Sequence, residues 1–221
     1  IGIMGFFAWL LGMTGLLLNY SVMYLVVGMG DLVLKGGFGV PIDTLWTLIR
    51  NLVNLSFIFA LIYIGITTII GSHASHAKSL LISVIISALL VNFSLFFAKA
   101  TIDVSNIIAD AIYKKMVKDP RASKVETGIS SAFMDKLGVK PLILGGGDSA
   151  VQKRLELAMK DTEGGAGFTI LYTLGASLLM FKLAFAFGLG AFLLIIRFVM
   201  LIFLMILSPI AFLPEMLPGL G

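Results

Sequence analysis

The 221-residue chain is 59% hydrophobic, only 13% of its residues are charged, and its formal net charge is +4. Soluble domains are about 45 to 50% apolar, so this composition is typical of a protein whose main solvent is lipid. The absence of cysteine excludes disulfides, thiolate metal ligands and cysteine nucleophiles. The apolar segments are continuous rather than alternating, which favours membrane helices over a barrel.

The first apolar segment, residues 3–27, predicts a membrane span. Gly12 and Gly15 have no side chains, so we expect another helix to pack closely against this face of the span. The chain opens on Ile1 with no basic region ahead of the span, so we expect the natural product to be processed or longer. Five glycines in the linker at residues 28–41 predict a flexible break.

Pro41 and Asp43 predict the start of a second helix, with Asp43 capping its first turn. The apolar pattern then predicts a span over residues 52–70. Arg50 lies just before this span, where we expect it to be at the membrane interface.

A polar turn at residues 71–79 contains His73 and His76. Two histidines three residues apart could share a metal, but no third histidine or nearby carboxylate completes a ligand set. A solvated loop is therefore favoured over a metal site, and an intramembrane enzyme built on these histidines is disfavoured.

The most informative helix is predicted at residues 80–113, with a third span over its first half. Polar residues continue along one face at helical spacing, and we name them the polar stripe: Asn92, Lys99, Asp103, Asn106 and Asp110. Lys99 and Asp103 are four residues apart and are expected to pair. Two interpretations of the polar stripe are open. It is the solvated side of a helix that is leaving the membrane, or it faces other helices or a water-filled space.

Residues 114–163 form the one soluble-looking segment, with ten Lys or Arg against seven Asp or Glu. Residues 131–137 predict a short helix closed by Gly138. Residues 149–161 predict an amphipathic helix that docks on the protein's own loops or lies on a membrane surface. The glycines at 145–147 lack the Gly-Lys-Ser/Thr ending of a phosphate loop, so nucleotide binding is unsupported.

Residues 168–212 form an apolar run of 45 residues that includes the cations Lys182 and Arg197. A bilayer's hydrocarbon core accommodates about 20 helical residues, so the run predicts two spans with a turn at residues 188–190. Both cations then lie near one interface. The alternative is a single long helix that dips out of the membrane.

The sequence therefore predicts an all-α, polytopic helical membrane protein with about five transmembrane helices and one soluble helical loop. Residues 1–116 hold membrane helices 1 to 3 with a cytoplasmic-leaning extension of the third. Residues 117–165 form a polar loop with short amphipathic helices, and residues 166–221 form a closing transmembrane hairpin and C-terminal tail. The positive-inside rule predicts a cytoplasmic long segment, an outside N-terminus and a cytoplasmic C-terminus.

Two blocks, residues 46–113 and 197–214, contain the runs RNLVN (50–54), ALLVNFS (88–94), IDVSN (102–106) and ILSPIAF (206–212). In these runs the chain resembles the TrbL-type polytopic inner-membrane subunits of bacterial type IV secretion and conjugation systems. The resemblance implies a non-enzymatic channel or scaffold subunit, assembled as a ring beneath the pilus, that helps DNA or protein cross the membrane. It also implies five spans, an outside N-terminus and an inside C-terminus.

The residues themselves suggest no cluster of nucleophile, base and orienting group, no metal-ligand set and no cofactor loop, so neither an enzyme nor a cofactor is predicted. The favoured function is a structural subunit of a translocation machine, with membrane lipids, copies of itself and other secretion subunits as partners. The alternative is a stand-alone transporter or channel whose path is lined by the polar stripe. Transporters usually carry internal repeats, and none is apparent here.

Overall fold

The computed structural model describes residues 2–34, 36–71, 74–117, 128–139 and 165–213. Across these ranges the chain is helical and contains no strand, which confirms the predicted all-helical class. His73, the glycines at 145–147 and the helix predicted at 149–161 lie outside the described residues.

Six α-helices occur in the described ranges. They are α1 (Gly2–Val22, extended by a π-helical segment Met23–Val27), α2 (Met29–Leu34), α3 (Gly39–Ile70), α4 (Ala74–Met116), α5 (Ile129–Lys136) and α6 (Gly165–Leu207, followed by a 3-10 turn Ser208–Phe212). Two expectations near α3 are wrong. The glycine linker contains the short helix α2, and α3 begins at Gly39 after Phe38, so Asp43 is not its cap.

Four of the described helices are long and apolar enough to cross a membrane, rather than the five predicted. They cover Ile3–Val27, Gly39–Ile70, Lys78–Met116 and Ile170–Phe212. The first, second and third contain the segments at which the sequence predicts its first three spans. The difference in number comes from α6.

The turn predicted at residues 188–190 is wrong, because α6 continues unbroken through Gly188 and Gly190. A turn here would leave backbone N–H and C=O groups without partners in lipid, and residues 183–196 include no polar side chain that could replace them. The two glycines instead lie inside the helix and face α1, at a distance where a Cβ atom would make ordinary van der Waals contact. A Cβ atom built on Gly190 would lie 3.4 Å from Leu18 Cδ1, and one built on Gly188 would lie 3.5 Å from Thr14 Cγ2.

The chain divides into two compact units, and α4 and α6 contribute to both. Unit 1 contains Ile1–Gly28 and Ile108–Ile196, and unit 2 contains Met29–Ile107 and Arg197–Gly221.

In unit 1, α1 and α6 run parallel, since Phe7 contacts Phe181 at 5.7 Å between ring centroids and Leu18 lies against Gly190. Helix α5 packs on α1, where the buried Asn19 accepts a hydrogen bond from the backbone N–H of Ser130 (2.9 Å). This bond caps the first turn of α5, whose own N-cap is Gly128. Gly138 follows α5 with φ +67°, so the predicted short helix and its glycine closure are confirmed.

In unit 2, α3 and α4 form an antiparallel hairpin, because Asp43 meets Lys99 and Trp46 meets Ser94. The end of α6 runs antiparallel to α4, since Ser208 meets Ser94 and Arg197 meets Asn106. From Trp46 to Ile70 the hairpin is about 36 Å long at 1.5 Å per residue. Its core contains Val53, Phe57, Ile64, Val84 and Val91.

Candidate functional site

The polar groups of unit 2 meet between α3, α4 and α6, and we call them the polar cluster: Asp43, Trp46, Ser94, Lys99, Asn106, Arg197 and Ser208. One contact joins α3 to α4 by charge, because Lys99 Nζ lies 3.1 Å from Asp43 Oδ1. The predicted pairing of Lys99 with Asp103 is therefore wrong. A pair at i, i+4 on one helix contributes only about 0.3 to 0.5 kcal/mol, so a carboxylate brought in by the neighbouring helix competes with it.

A second contact joins α4 to α6. Arg197 Nη2 donates to Asn106 Oδ1 at 3.1 Å, and Asn106 Nδ2 lies 3.3 Å from the sulfur of Met29. Both Arg197 and Asn106 are half-buried. Hydrogen bonds to charged groups are worth about 1.5 to 3 kcal/mol, so this contact is the strongest single polar link identified within unit 2.

A third contact links all three helices through small hydroxyl groups. Trp46 Nε1 donates to Ser94 Oγ at 3.0 Å, and Ser94 Oγ lies 3.2 Å from Ser208 Oγ. Ser94 is 1% exposed and Ser208 is 7% exposed. Ser208 also donates to the backbone oxygen of Met205, which ties the end of α6 to its own last turn.

The remaining stripe residues have other environments. Asn92 is exposed, and its Nδ2 donates to the backbone oxygen of Ala88 on its own helix. Asp103 is exposed and has no polar partner among the described residues. Asp110, in unit 1, pairs with Lys114 through Oδ2 at 2.6 Å, while its Oδ1 is buried without a hydrogen-bond partner. The residues of the polar stripe therefore do not form one site, and only Lys99 and Asn106 belong to the polar cluster.

The predicted packing glycines of α1 also differ from each other. Gly15 is a close-approach site within the chain, because a Cβ atom there would lie 3.2 Å from Ser130 Oγ on α5. Gly12 has open space around it. The cation Lys182 is exposed on α6 and has no polar partner in the described ranges.

A cavity of about 90 Å³ lies beside the polar cluster. It is lined by residues of α2, α4 and α6: Met29, Gly30, Val33, Lys99, Ile102, Asp103, Asn106 and Met205. A water molecule occupies about 30 Å³ of liquid, so the cavity has room for a few waters. Small-molecule sites are usually about 300 to 1,000 Å³, which makes it much smaller than a solute-binding pocket.

The arrangement brings together cations, a carboxylate, an amide and hydroxyl groups whose common effect is to hold three helices in register. Sequence reasoning missed Asp43 as the partner of Lys99 and the serines at 94 and 208 altogether. Serine is too common in membrane helices to stand out, although both serines lie within the runs ALLVNFS and ILSPIAF. No protein-family model, curated protein or solved structure matches this chain.

Proposed function

We propose that the chain is a structural subunit of a bacterial inner-membrane translocation machine of the type IV secretion kind, packing its helices into an oligomeric ring. The observation that carries this proposal is the use of stripe residues as links between helices. Lys99 is engaged by Asp43, and Asn106 is engaged by Arg197. Polar groups that are bonded to neighbouring helices in this way support a scaffold role.

Membrane insertion is supported by the outward surface of the α3–α4 hairpin. Large apolar side chains on it are more than half exposed, among them Phe59 (65%), Ile69 (86%) and Leu89 (59%). Such a surface is unfavourable in water and suits lipid. The length of about 36 Å from Trp46 to Ile70 fits a hydrocarbon core of about 30 Å with its interfaces.

The proposed orientation places the Asp43–Lys99 end of the hairpin in the cytoplasm. The basic segment at residues 114–163 follows the end of α4, and the positive-inside rule favours the cytoplasm for it. The cytoplasmic C-terminus is proposed from the positive-inside rule alone.

Assembly with further copies is supported by the length of α6. Its 43 residues extend about 64 Å, roughly twice the thickness of a hydrocarbon core. Even a tilt of about 40° leaves an apolar helix too long for one bilayer. We propose that other copies of the chain, or other secretion subunits, cover the part of α6 that extends beyond the bilayer.

The resemblance to TrbL-type subunits is consistent with this proposal. The two blocks that carry it contact each other in unit 2, through Ser94 with Ser208 and through Asn106 with Arg197. The translocated cargo of such a machine is DNA or protein.

A stand-alone transporter or channel is the second candidate, favoured by the cavity next to Lys99, Asp103 and Asn106. Its volume of about 90 Å³ argues against a path for solutes larger than a few waters.

The two candidates differ in what happens when the charges of the Asp43–Lys99 pair are removed together. The pair is exposed, with 37% of the Lys99 side chain and 58% of the Asp43 side chain accessible, so its contribution to stability is about 1 kcal/mol or less. We expect the double variant Asp43→Asn with Lys99→Met to assemble normally and to support secretion within about twofold of wild type. Assembled complexes that have lost transport would favour the path instead.

Particle size in mild detergent gives an independent check. We expect a large ring-shaped oligomer, alone or with other secretion subunits, by light scattering and electron microscopy. A particle of one or two chains would contradict the proposed ring.

A further inference from the structure

Helix α5 packs against the middle of α1. The buried Asn19 on α1 accepts a hydrogen bond from the backbone N–H of Ser130 at 2.9 Å. One turn earlier on α1, a Cβ atom built on Gly15 would lie 3.2 Å from Ser130 Oγ and 3.7 Å from Met134 Cε. Met134 is buried in one cluster with Leu11, which lies a further turn along α1. Helix α5 therefore lies beside the stretch of α1 between residues 11 and 19.

This stretch is the centre of the first candidate membrane span. The span covers Ile3–Val27, so Gly15 lies about 18 Å from each end at 1.5 Å per residue. Half the thickness of a hydrocarbon core is about 15 Å. An α1 that crosses the bilayer therefore places α5 at the depth of the acyl chains.

Two exposed charges on α5 do not suit that depth. Asp135 and Lys136 directly follow Met134, and both are exposed. Neither charged side chain has a polar partner within the described ranges. A charge among acyl chains is unfavourable, and the short side chain of Asp135 does not reach an interface about 15 Å away. This face of α5 is therefore unsuited to lipid.

The backbone that ends α5 gives a second, independent indication. Leu137 and Gly138 follow the helix in an exposed turn, with Gly138 at φ +67°. Val139 is buried in the same cluster as Leu11, which keeps this turn beside α1. At membrane depth, irregular backbone occurs only where it is buried in protein or lines a water-filled cavity. The exposed turn therefore also indicates water.

We infer that the exposed face of α5 borders a water-filled space within the membrane, in which Asp135 and Lys136 are solvated. The inference rests on the proposed function, with α1 crossing the bilayer, and deepens it by assigning α5 to the aqueous passage of the assembled machine. Water is favoured over a second protein surface because charged residues are depleted at the cores of protein interfaces.

Cysteine labelling of the full chain in membranes tests this inference. The membranes are opened by freeze–thaw, so that a membrane-impermeant thiol reagent reaches both faces without detergent. We expect Asp135→Cys and Lys136→Cys to react under these conditions. Circular dichroism of the purified variants establishes that each is folded.

Met13→Cys is the matched control at the same depth. Met13 is 56% exposed and lies two residues from Gly15, about 200° around α1 and so away from α5. Before detergent is added, its cysteine should react about tenfold or more slowly than the cysteine at 135, because apolar surroundings disfavour the reactive thiolate.

The control separates failure of this inference from failure of membrane insertion. If the folded variants at 135 and 136 both stay unreactive until detergent is added, while Met13→Cys is also protected, the water-filled space is wrong and insertion of α1 stands. Fast reaction of Met13→Cys without detergent would show that α1 does not cross lipid at this level, and would overturn both.

Discussion

Replacing Asn106 by leucine is expected to lower the free energy of unfolding by about 2 kcal/mol. Asn106 Oδ1 accepts the hydrogen bond of Arg197, and within the described residues Arg197 has no other hydrogen-bond partner. The substitution therefore leaves a half-buried guanidinium without an acceptor. Denaturant unfolding in detergent, followed by circular dichroism, measures the loss.

A matched control lies one turn away on the same helix. Asp103 is exposed and has no polar partner among the described residues, so Asp103→Leu should change stability by about 0.5 kcal/mol or less. Combining Asn106→Leu with Arg197→Leu removes both polar groups and should restore much of the loss. Equal losses at 103 and 106, or a double variant with the summed loss, would show that the contact does not stabilise unit 2.

Spin labels at Leu178 and Ile196 are expected to lie about 27 Å apart, as measured by double electron–electron resonance. The two positions are exposed and separated by five turns of α6, so both labels lie on one face of the helix. A hairpin with its turn at residues 188–190 would instead bring them to about 10 to 15 Å. The absence of cysteine from the chain makes specific labelling simple.

The helical class and the place of α5 could be predicted from the sequence because they depend on local signals. Apolar stretches of sufficient length and Gly138 just after a short amphipathic segment are both local. The continuity of α6 was not predictable in the same way. Glycines at 188 and 190 are compatible with a turn and with a helix interior, and the sequence around them does not distinguish the two.

The polar cluster was predicted in part for a related reason. Helical spacing correctly selected Lys99 and Asn106 as members of one face, but spacing along α4 favours Asp103 as the partner of Lys99. The antiparallel register of α3 and α4 brings Asp43 to Lys99 instead. Partners of this kind are set by tertiary packing, which a single sequence does not encode in any local pattern.

Cysteine accessibility along the α3–α4 hairpin tests most directly whether this hairpin crosses the membrane. Single cysteines replace Thr44 near the Asp43–Lys99 end, Ile58 and Ile86 at mid-length, and Ser79 near the other end; all four residues are exposed. With a membrane-impermeant thiol reagent, we expect Ser79→Cys to react from outside intact cells and Thr44→Cys to react only in inverted vesicles. Ile58→Cys and Ile86→Cys should react only after detergent is added. Reaction of both mid-length cysteines as fast as Ser79→Cys, or reaction of Thr44→Cys and Ser79→Cys from the same side, would contradict a membrane-crossing hairpin.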